Sequence, residues 1–409
     1  MLVVKNLLKR SWAAGLILSR VALGLLLQKI IAIKYGPVGT TYLSHFQNFI
    51  ALITQPLQDV IGQGLINGIR QKKIQEKELT SSALLFSLFL VLSIFSLLLI
   101  SQHITLSTLD FLNRYWILLF IALLFIALQL ILMNYLVAKG EIKALFFLNS
   151  IPGAITLIVL YNLSHSLIII LMSYLGMQAI TTICYVGFTI MRYPNLYSFS
   201  AKISPTVKKH FLNFLAIGLT IWLSSKLTSF YVRAYAIDHF PTADTGHWQA
   251  IERISDAYKG LFLSFLMISL FPVLSDRLKT KSLALFFKKY LLQYSLVVIS
   301  FAVGLLLFKE IILTTLYDEN YSIASSLFNW QIYGDIFALT SFPFALLLLA
   351  KIDTKKYIVA ELIGTFGYLA AIYMIPEKAI QVLFYSYFIR YLIYLSLTMV
   401  FTRKYWRHV

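Results

Sequence analysis

Apolar residues run in long blocks along this chain, and short polar stretches separate them. The blocks at 84–100, 116–136, 145–160 with its flanks, 167–190, 291–308 and 382–401 are the clearest. A stretch of about 18–20 apolar residues in a helix crosses a hydrocarbon core roughly 30 Å thick. A soluble core cannot bury so many such segments at once. Helices are predicted over 11–34, 40–68, 80–101, 114–138, 144–161, 166–191, 208–234, 246–274, 287–308, 322–350, 357–375 and 379–401. The predicted fold is an all-α polytopic membrane protein of about twelve transmembrane helices. The second, eighth and tenth helices are too polar for hydropathy alone to select.

Charge gives the helices a direction. With both termini in the cytoplasm, the terminal segments and even-numbered loops hold 24 of the 35 Lys and Arg residues, the outer loops hold four and the helices seven. Inner clusters include Arg70, Lys72, Lys73 and Lys77, then Arg192, Lys202, Lys208 and Lys209, then Arg277, Lys279, Lys281, Lys288 and Lys289. Positive charge in short loops marks the cytoplasmic side. Asp110, Asp238, Asp244, Asp318 and Glu319 fall in the outer loops. The stretch 193–207, with Pro194 and Pro205, divides the protein at its midpoint. The predicted organisation is a six-helix lobe over 1–191, a cytoplasmic linker over 192–207, a second six-helix lobe over 208–401 and a cytoplasmic tail over 402–409.

Composition agrees: 59% of residues are hydrophobic and 13% charged, against roughly a quarter charged in soluble domains. The net charge of +18 belongs to the loops, and no nucleic-acid-binding pattern accompanies it. The lone Cys184 forms no intrachain disulfide. The first helix carries Arg20 and Lys29 and no small-x-small cleavage site, so it is read as uncleaved rather than as a signal peptide.

Twelve Asp, Glu, Lys and Arg residues are predicted inside helices. Each costs at least about 2.5 kcal/mol at mid-bilayer unless it meets a partner or water. The cations are Arg20, Lys29, Lys226, Arg233, Arg253, Lys259 and Arg390; the acids are Asp59, Glu252, Asp256, Asp335 and Glu361. At helical spacing, Asn48, Gln55 and Asp59 share a narrow arc beside Pro56, where a kink is expected. Glu252, Asp256 and Lys259 share a face with Arg253 beside it, and Gln331 and Asp335 lie one turn apart. Lys226 and Arg233 are two turns apart on one face. Arg20 and Lys29 point to opposite sides and meet one cavity only if the helix bends near Gly24.

Each charge also has a plainer reading. Lys29 and Arg233 lie near the outer surface and can snorkel. Arg390, among Tyr385, Tyr387, Tyr391 and Tyr394, suits a structural ion pair or cation–π contact. Glu361 suits a solvated charge near a helix start. Arg253–Asp256 and Asp256–Lys259 are candidate internal salt bridges. Read as function, the cations outnumber the acids and make the cavity attractive to an anion. The arginine fork suits a phosphate. The buried acids Asp59, Glu252, Asp256 and Asp335 are candidates for ion coupling. Catalytic motifs, a Walker A loop, H-E-x-x-H and cysteine clusters do not occur, so neither a catalytic site nor a metal nor a cofactor is expected. Asn162-Leu-Ser164 and Asn320-Tyr-Ser322 match the glycosylation sequon, a short pattern of little weight. His45-Phe46-Gln47 and His247-Trp248-Gln249 open the second and eighth helices and hint at an internal repeat of the kind transporters use.

Three segments carry a family resemblance. They are Gly246-His-Trp248-Gln249 through Ser255-Asp256-Ala257-Tyr258 to Pro272-Val-Leu274-Ser275; Trp330-Gln331-Ile-Tyr-Gly334-Asp335 on to Ala350-Lys351 and Ala360-Glu361; and Lys29 through Tyr35-Gly36-Pro37-Val-Gly39 to Phe46 and Gly64…Asn67-Gly68. Their order and spacing resemble the Wzx family of polysaccharide-unit flippases, in particular its enterobacterial-common-antigen type. The resemblance implies the fold of the multidrug/oligosaccharidyl-lipid/polysaccharide exporters, with two six-helix lobes around a central cavity that opens alternately to each side. It implies a bacterial inner membrane and an undecaprenyl-diphosphate-linked oligosaccharide as substrate, with membrane lipids around the protein. Gln249, Asp256, Gln331 and Asp335 lie on the matching segments; Glu252, Arg253, Lys259 and Arg390 depart from the family's pattern. The expected substrate-binding cations of the cavity are Arg20, Lys29, Lys226, Arg233, Arg253 and Lys259, the diphosphate binding some of Arg20, Lys29, Lys226 and Arg253, with Asn48, Gln55, Gln249 and Gln331 as polar cavity residues. A proton or sodium ion is the expected coupling ion. A polysaccharide polymerase and a chain-length regulator are candidate partners. A drug/cation antiporter of the same superfamily is the nearest competing reading. A membrane polymerase or glycosyltransferase is the competitor from another class, and it lacks the large loops such enzymes use.

Overall fold

The computed structural model describes residues 2–71, 75–100, 115–162, 166–197, 204–271, 273–274, 283–351, 353–376 and 379–406. The loop charges Lys72, Lys73, Asp110, Arg114, Lys202, Arg277, Lys279, Lys281, Lys378 and Arg407 lie outside these residues. So do Ser164 of the first sequon and Pro272 and Ser275 of the first family segment.

Among the described residues every element is helical and no strand occurs. The helices begin with α1 (Leu2–Pro56), α2 (Gln63–Gln71), α3 (Glu76–Ile100), α4 (Trp116–Lys139), α5 (Ile142–Asn162) and α6 (Leu167–Arg192). They continue with α7 (Pro205–Ile221), α8 (Thr228–His239), α9 (Thr242–Ser269) and α10 (Leu283–Leu316), then α11 (Ser325–Ala350), α12 (Thr354–Met374) and α13 (Gln381–Trp406). Eight helical stretches among the described residues are long and apolar enough to cross a membrane. One of them, Ser11–Ile69, contains the first two predicted helices. The α9 helix is not among the eight, because Glu252, Arg253, Asp256 and Lys259 interrupt its apolar window. The α10 helix outruns its predicted end at 308, since Lys309 and Glu310 leave the apolar window but are good helix formers.

In place of the expected loop near 35–39, the backbone breaks at a single residue. Gly36 adopts φ 62° and ψ −160° inside an otherwise helical run. Two causes coincide there. Glycine tolerates positive φ, and a residue before proline is pushed out of the α region. Pro37 then starts the next helical segment, where its missing N–H costs nothing. No such break occurs at Gly24, so the bend that would bring Arg20 and Lys29 to one side is absent.

The chain packs as two units. The first comprises Met1–Ile30 and Tyr42–Ala234; the second comprises Ile31–Thr41 and Tyr235–Val409.

In the first unit, α4 packs along α6, and α7 packs on a π-helical turn, Leu57–Gly62, that follows α1. A second π turn, Trp222–Leu227, joins α7 to α8. The expected kink at Pro56 takes this π form. Proline has no N–H to give the carbonyl four residues back, which is that of Leu52. The Trp222 indole fills the vacancy, donating to the Leu52 oxygen at 2.7 Å. Close packing holds the partners together: a Cβ on Gly218 would collide with the Val60 side chain on the π turn. Trp222→Phe keeps an aromatic ring and removes the indole donor to that carbonyl. It is expected to lower stability by about 1–3 kcal/mol, seen as a drop in melting temperature of the purified protein; an unchanged midpoint would refute this role for Trp222.

In the second unit, α13 packs between α11 and α12, while α9 and α10 pack on α11. Its core gathers Leu266, Leu270, Phe287, Tyr294, Leu339 and Phe344. The segment around Pro37 docks on α9 in the same unit. Gly246 lies against the Pro37 backbone so closely that no Cβ fits. Thr41 donates to the Thr242 carbonyl at 2.9 Å, and Thr40 shares a 2.9 Å hydrogen bond with Tyr321. Two of the three resemblance segments, distant in sequence, thus meet.

Candidate functional site

Helices α9, α11 and α13 of the second unit converge on one buried carboxylate. Asp335 is 2% exposed. It accepts from Ser255 Oγ at 2.9 Å, from Tyr387 OH at 2.6 Å and from Tyr258 OH. Gln331, one helical turn earlier, reaches Ser255 Oγ at 3.0 Å and Asp335 at 3.4 Å. The Lys259 ammonium lies 3.5 Å from Asp335, 3.3 Å from Asp256 and 2.6 Å from Tyr387 OH. It also lies over the Tyr387 and Tyr391 rings, 4.9 and 5.8 Å from their centroids. A buried charge is tolerated only when it is paired and its remaining lone pairs are hydrogen-bonded, and this cage meets both conditions. Asp256, 52% exposed at its side chain, forms the outer end of the chain Asp256–Lys259–Asp335.

The predicted Asp256–Lys259 salt bridge is therefore present, with Asp335 as its third member. Lys259, expected beside the substrate, is buried and held by carboxylates. Arg390 takes the structural form: it lies 3.9 Å from Glu361 and over the Tyr368 and Tyr391 rings. Glu361 is thus a buried-side partner two turns into α12 rather than a solvated charge near its start.

In the first unit, Asp59 and Lys226 each sit in one of the two π turns and interact electrostatically. Gln55 donates to Asp59 at 2.9 Å, as one-turn spacing requires, and Asn48 donates to Ser229 at 3.2 Å. π turns recur at functional sites because they re-aim side chains within a helix. Arg233 is buried at 4% exposure and contacts Ser229, so it does not snorkel. Arg20 is exposed and reaches Met133 Sδ at 3.0 Å and the Tyr185 hydroxyl. Lys29, Arg253 and Glu252 are half-buried, and Gln249 is fully buried.

Sequence reasoning missed Ser255, Tyr258 and Tyr387 as ligands of Asp335. Ser255 and Tyr258 stood inside the first family segment, but periodicity alone cannot say which carboxylate they meet. His45, read from the sequence only as part of a repeat, is buried and stacked on Phe230 at 5.1 Å between ring centroids.

No family model matches this chain. The lipid III flippase of Escherichia coli (strain K12) is 24% identical over 409 residues, covering 94% of this chain and 95% of that protein. The lipid III flippase of Shigella flexneri gives the same values. Among solved structures, the lipid II flippase MurJ in an inward closed conformation superposes with a TM-score of 0.74 at 14% identity, over 96% of this chain and 87% of that one. An inward-facing multidrug resistance MATE transporter of the MOP superfamily gives 0.70 at 13%, over 95% and 94%. The fold is that of these flippase and transporter structures, and the flippase resemblance read from the three segments is borne out by the lipid III flippase match.

Proposed function

We propose that this protein is a flippase that moves undecaprenyl-diphosphate-linked oligosaccharide from the cytoplasmic to the periplasmic leaflet of a bacterial inner membrane. The observation that carries this reading is the end-to-end likeness to lipid III flippases, which spans both halves of the chain. In this reading twelve helices form lobes over 1–191 and 208–401 around a central cavity, both termini are cytoplasmic, and access alternates. The polyprenyl tail stays in lipid while the diphosphate meets some of Arg20, Lys29, Lys226 and Arg253; with no bend at Gly24, Arg20 and Lys29 do not both serve it. Guanidinium groups suit it because a fork can grip two phosphate oxygens. A proton or sodium gradient drives the cycle, with Asp59 and the Asp256–Lys259–Asp335 chain as coupling groups and Glu252 beside them. A polysaccharide polymerase and chain-length regulator would take the delivered units.

The MATE-like fold also suits a drug/cation antiporter. Such a carrier needs carboxylates open to a cationic drug. Here the most buried acid among the described residues, Asp335, is already held by Lys259, which favours the flippase.

Reconstitution tests the reading. Liposomes containing the protein are expected to expose labelled lipid-linked oligosaccharide on the far leaflet faster than empty ones; equal rates would end the proposal. Arg20→Gln and Lys226→Gln are each expected to slow transport by roughly ten- to a hundred-fold, from the loss of one charge-assisted contact worth about 1.5–3 kcal/mol, with the protein still present in the membrane. A variant with wild-type transport excludes its residue from substrate contact.

A further inference from the structure

The first unit holds a cavity of about 240 Å³ that the charge-based reading does not use. Carboxamides and an aromatic ring from four helices reach it: Gln47 from α1, Gln129 from α4, Asn149 from α5, and Tyr174 and Gln178 from α6, with Arg20 at its edge. No carboxylate lines it among the described residues.

Polar side chains in apolar spans are costly and mark function more often than packing. These four amides come from separate turns of chain yet converge, so the fold assembles them rather than one helix face presenting them. Three of the four are partly tied into the protein, and Gln47 is one of them, its oxygen accepting from Gln28 at 3.3 Å. Gln129 receives a 3.4 Å hydrogen bond from Thr182 on its oxygen, which leaves its NH₂ for the cavity. Asn149 spends its NH₂ on the Leu145 carbonyl and the Tyr185 hydroxyl, both at 2.7 Å, which leaves its oxygen. Gln178 also lines the cavity, and a carboxamide carries both a donor and an acceptor. The cavity therefore offers a fixed mixture of neutral donors and acceptors beside an aromatic ring.

That combination selects a ligand. Without a carboxylate it does not favour a cation, and its amides would lose their hydrogen bonds against an apolar drug. A phosphate is better served by the exposed Arg20 guanidinium than by neutral amides. A sugar ring fits both chemistries of the wall: each hydroxyl donates and accepts, as a carboxamide does, and the C–H face of a pyranose suits an aromatic side chain. The volume is also below the ~300–1,000 Å³ of pockets for drug-sized ligands, which suits one ring and not a chain of them.

We infer that this cavity seats one neutral or N-acetylated pyranose ring of the glycan, with Arg20 positioned at its edge for the phosphate end. The inference rests on the flippase reading for its transport meaning, but its binding chemistry is tested separately. The probe is methyl N-acetyl-α-glucosaminide, offered to the full-length protein in lipid nanodiscs and followed by saturation-transfer NMR. Wild-type protein is expected to saturate the ring and acetyl protons. Gln178→Leu is expected to weaken that signal about five-fold or more through loss of an amide partner. Gln129→Leu serves as the second variant, and each is compared only after eluting as a monodisperse species. No transfer with wild-type protein means a cavity filled by water alone and overturns the inference; equal transfer with wild type and both variants does the same. The two readings fail differently. If the sugar binds through Gln178 but liposomes move no lipid-linked oligosaccharide, the flippase reading falls and the sugar site stands.

Discussion

Replacing Asp335 with leucine is expected to destabilise the protein by up to about 3–5 kcal/mol, the cost of breaking a buried ion pair by removing one partner. Lys259, buried beneath the Tyr387 and Tyr391 rings, then keeps only the exposed-side Asp256 at 3.3 Å as its carboxylate. Lys259→Met is expected to be harmful for the complementary reason. Asp335 then keeps the Ser255, Tyr258 and Tyr387 donors but loses its ammonium. The informative variant is the double one. A buried ion pair replaced by apolar groups of similar size is often neutral or stabilising, so the double variant should melt well above Asp335→Leu alone. Part of the loss should remain, because three hydroxyls have lost their acceptor. Melting temperatures of the four proteins in one detergent measure this cycle. If the two single losses simply add, Lys259 and Asp335 do not act as a pair.

Gly246→Val is expected to remove most folded protein from the membrane. The glycine on α9 lies directly against the Pro37 backbone, and the contacting atoms are main-chain atoms that no rotamer change can move aside. Overpacking typically costs about 1–3 kcal/mol when side chains can adjust, and here they cannot. Gly260→Val on the same helix is the control, because a Cβ there would meet nothing within 4 Å. Its cost should be no more than a small difference in helix propensity. The measurement is the monodisperse fraction and melting temperature after extraction. Similar values for the two variants would show that α9 does not depend on close approach at Gly246. The same contact joins Gly246 to Pro37, which stands in another of the resemblance segments.

Much of the helical architecture was readable because a hydrocarbon core leaves the backbone little choice but to bond within its own helix. Apolar block length located α4, α5, α6 and α13, and the local spacing of four residues gave Gln55–Asp59 and Gln331–Asp335 correctly. Spacing of three gave Asp256–Lys259. Those contacts are fixed by the helix alone. Other features depended on chain that lies far away. Pro56 announces a lost hydrogen bond, but nothing near it in sequence names Trp222 as the donor that replaces it. Lys259 reads as one more cation for a substrate until α11 and α13 close Asp335 and Tyr387 around it. The amides Gln129, Asn149 and Gln178 pass unnoticed singly, because a lone amide on one helix does not name the partners it meets, and only their convergence makes a cavity.

The sequence by itself therefore determined that the chain is a helical membrane protein, which residues share a helix face, and which family it resembles. Hydropathy and the 3.6-residue repeat act over a single helix, so a single helix suffices to read them. The tertiary structure alone decided which buried charges are already neutralised by partners and which stay open to a ligand. Pairing is a matter of a few ångströms between helices, and no periodicity along one chain segment encodes that distance.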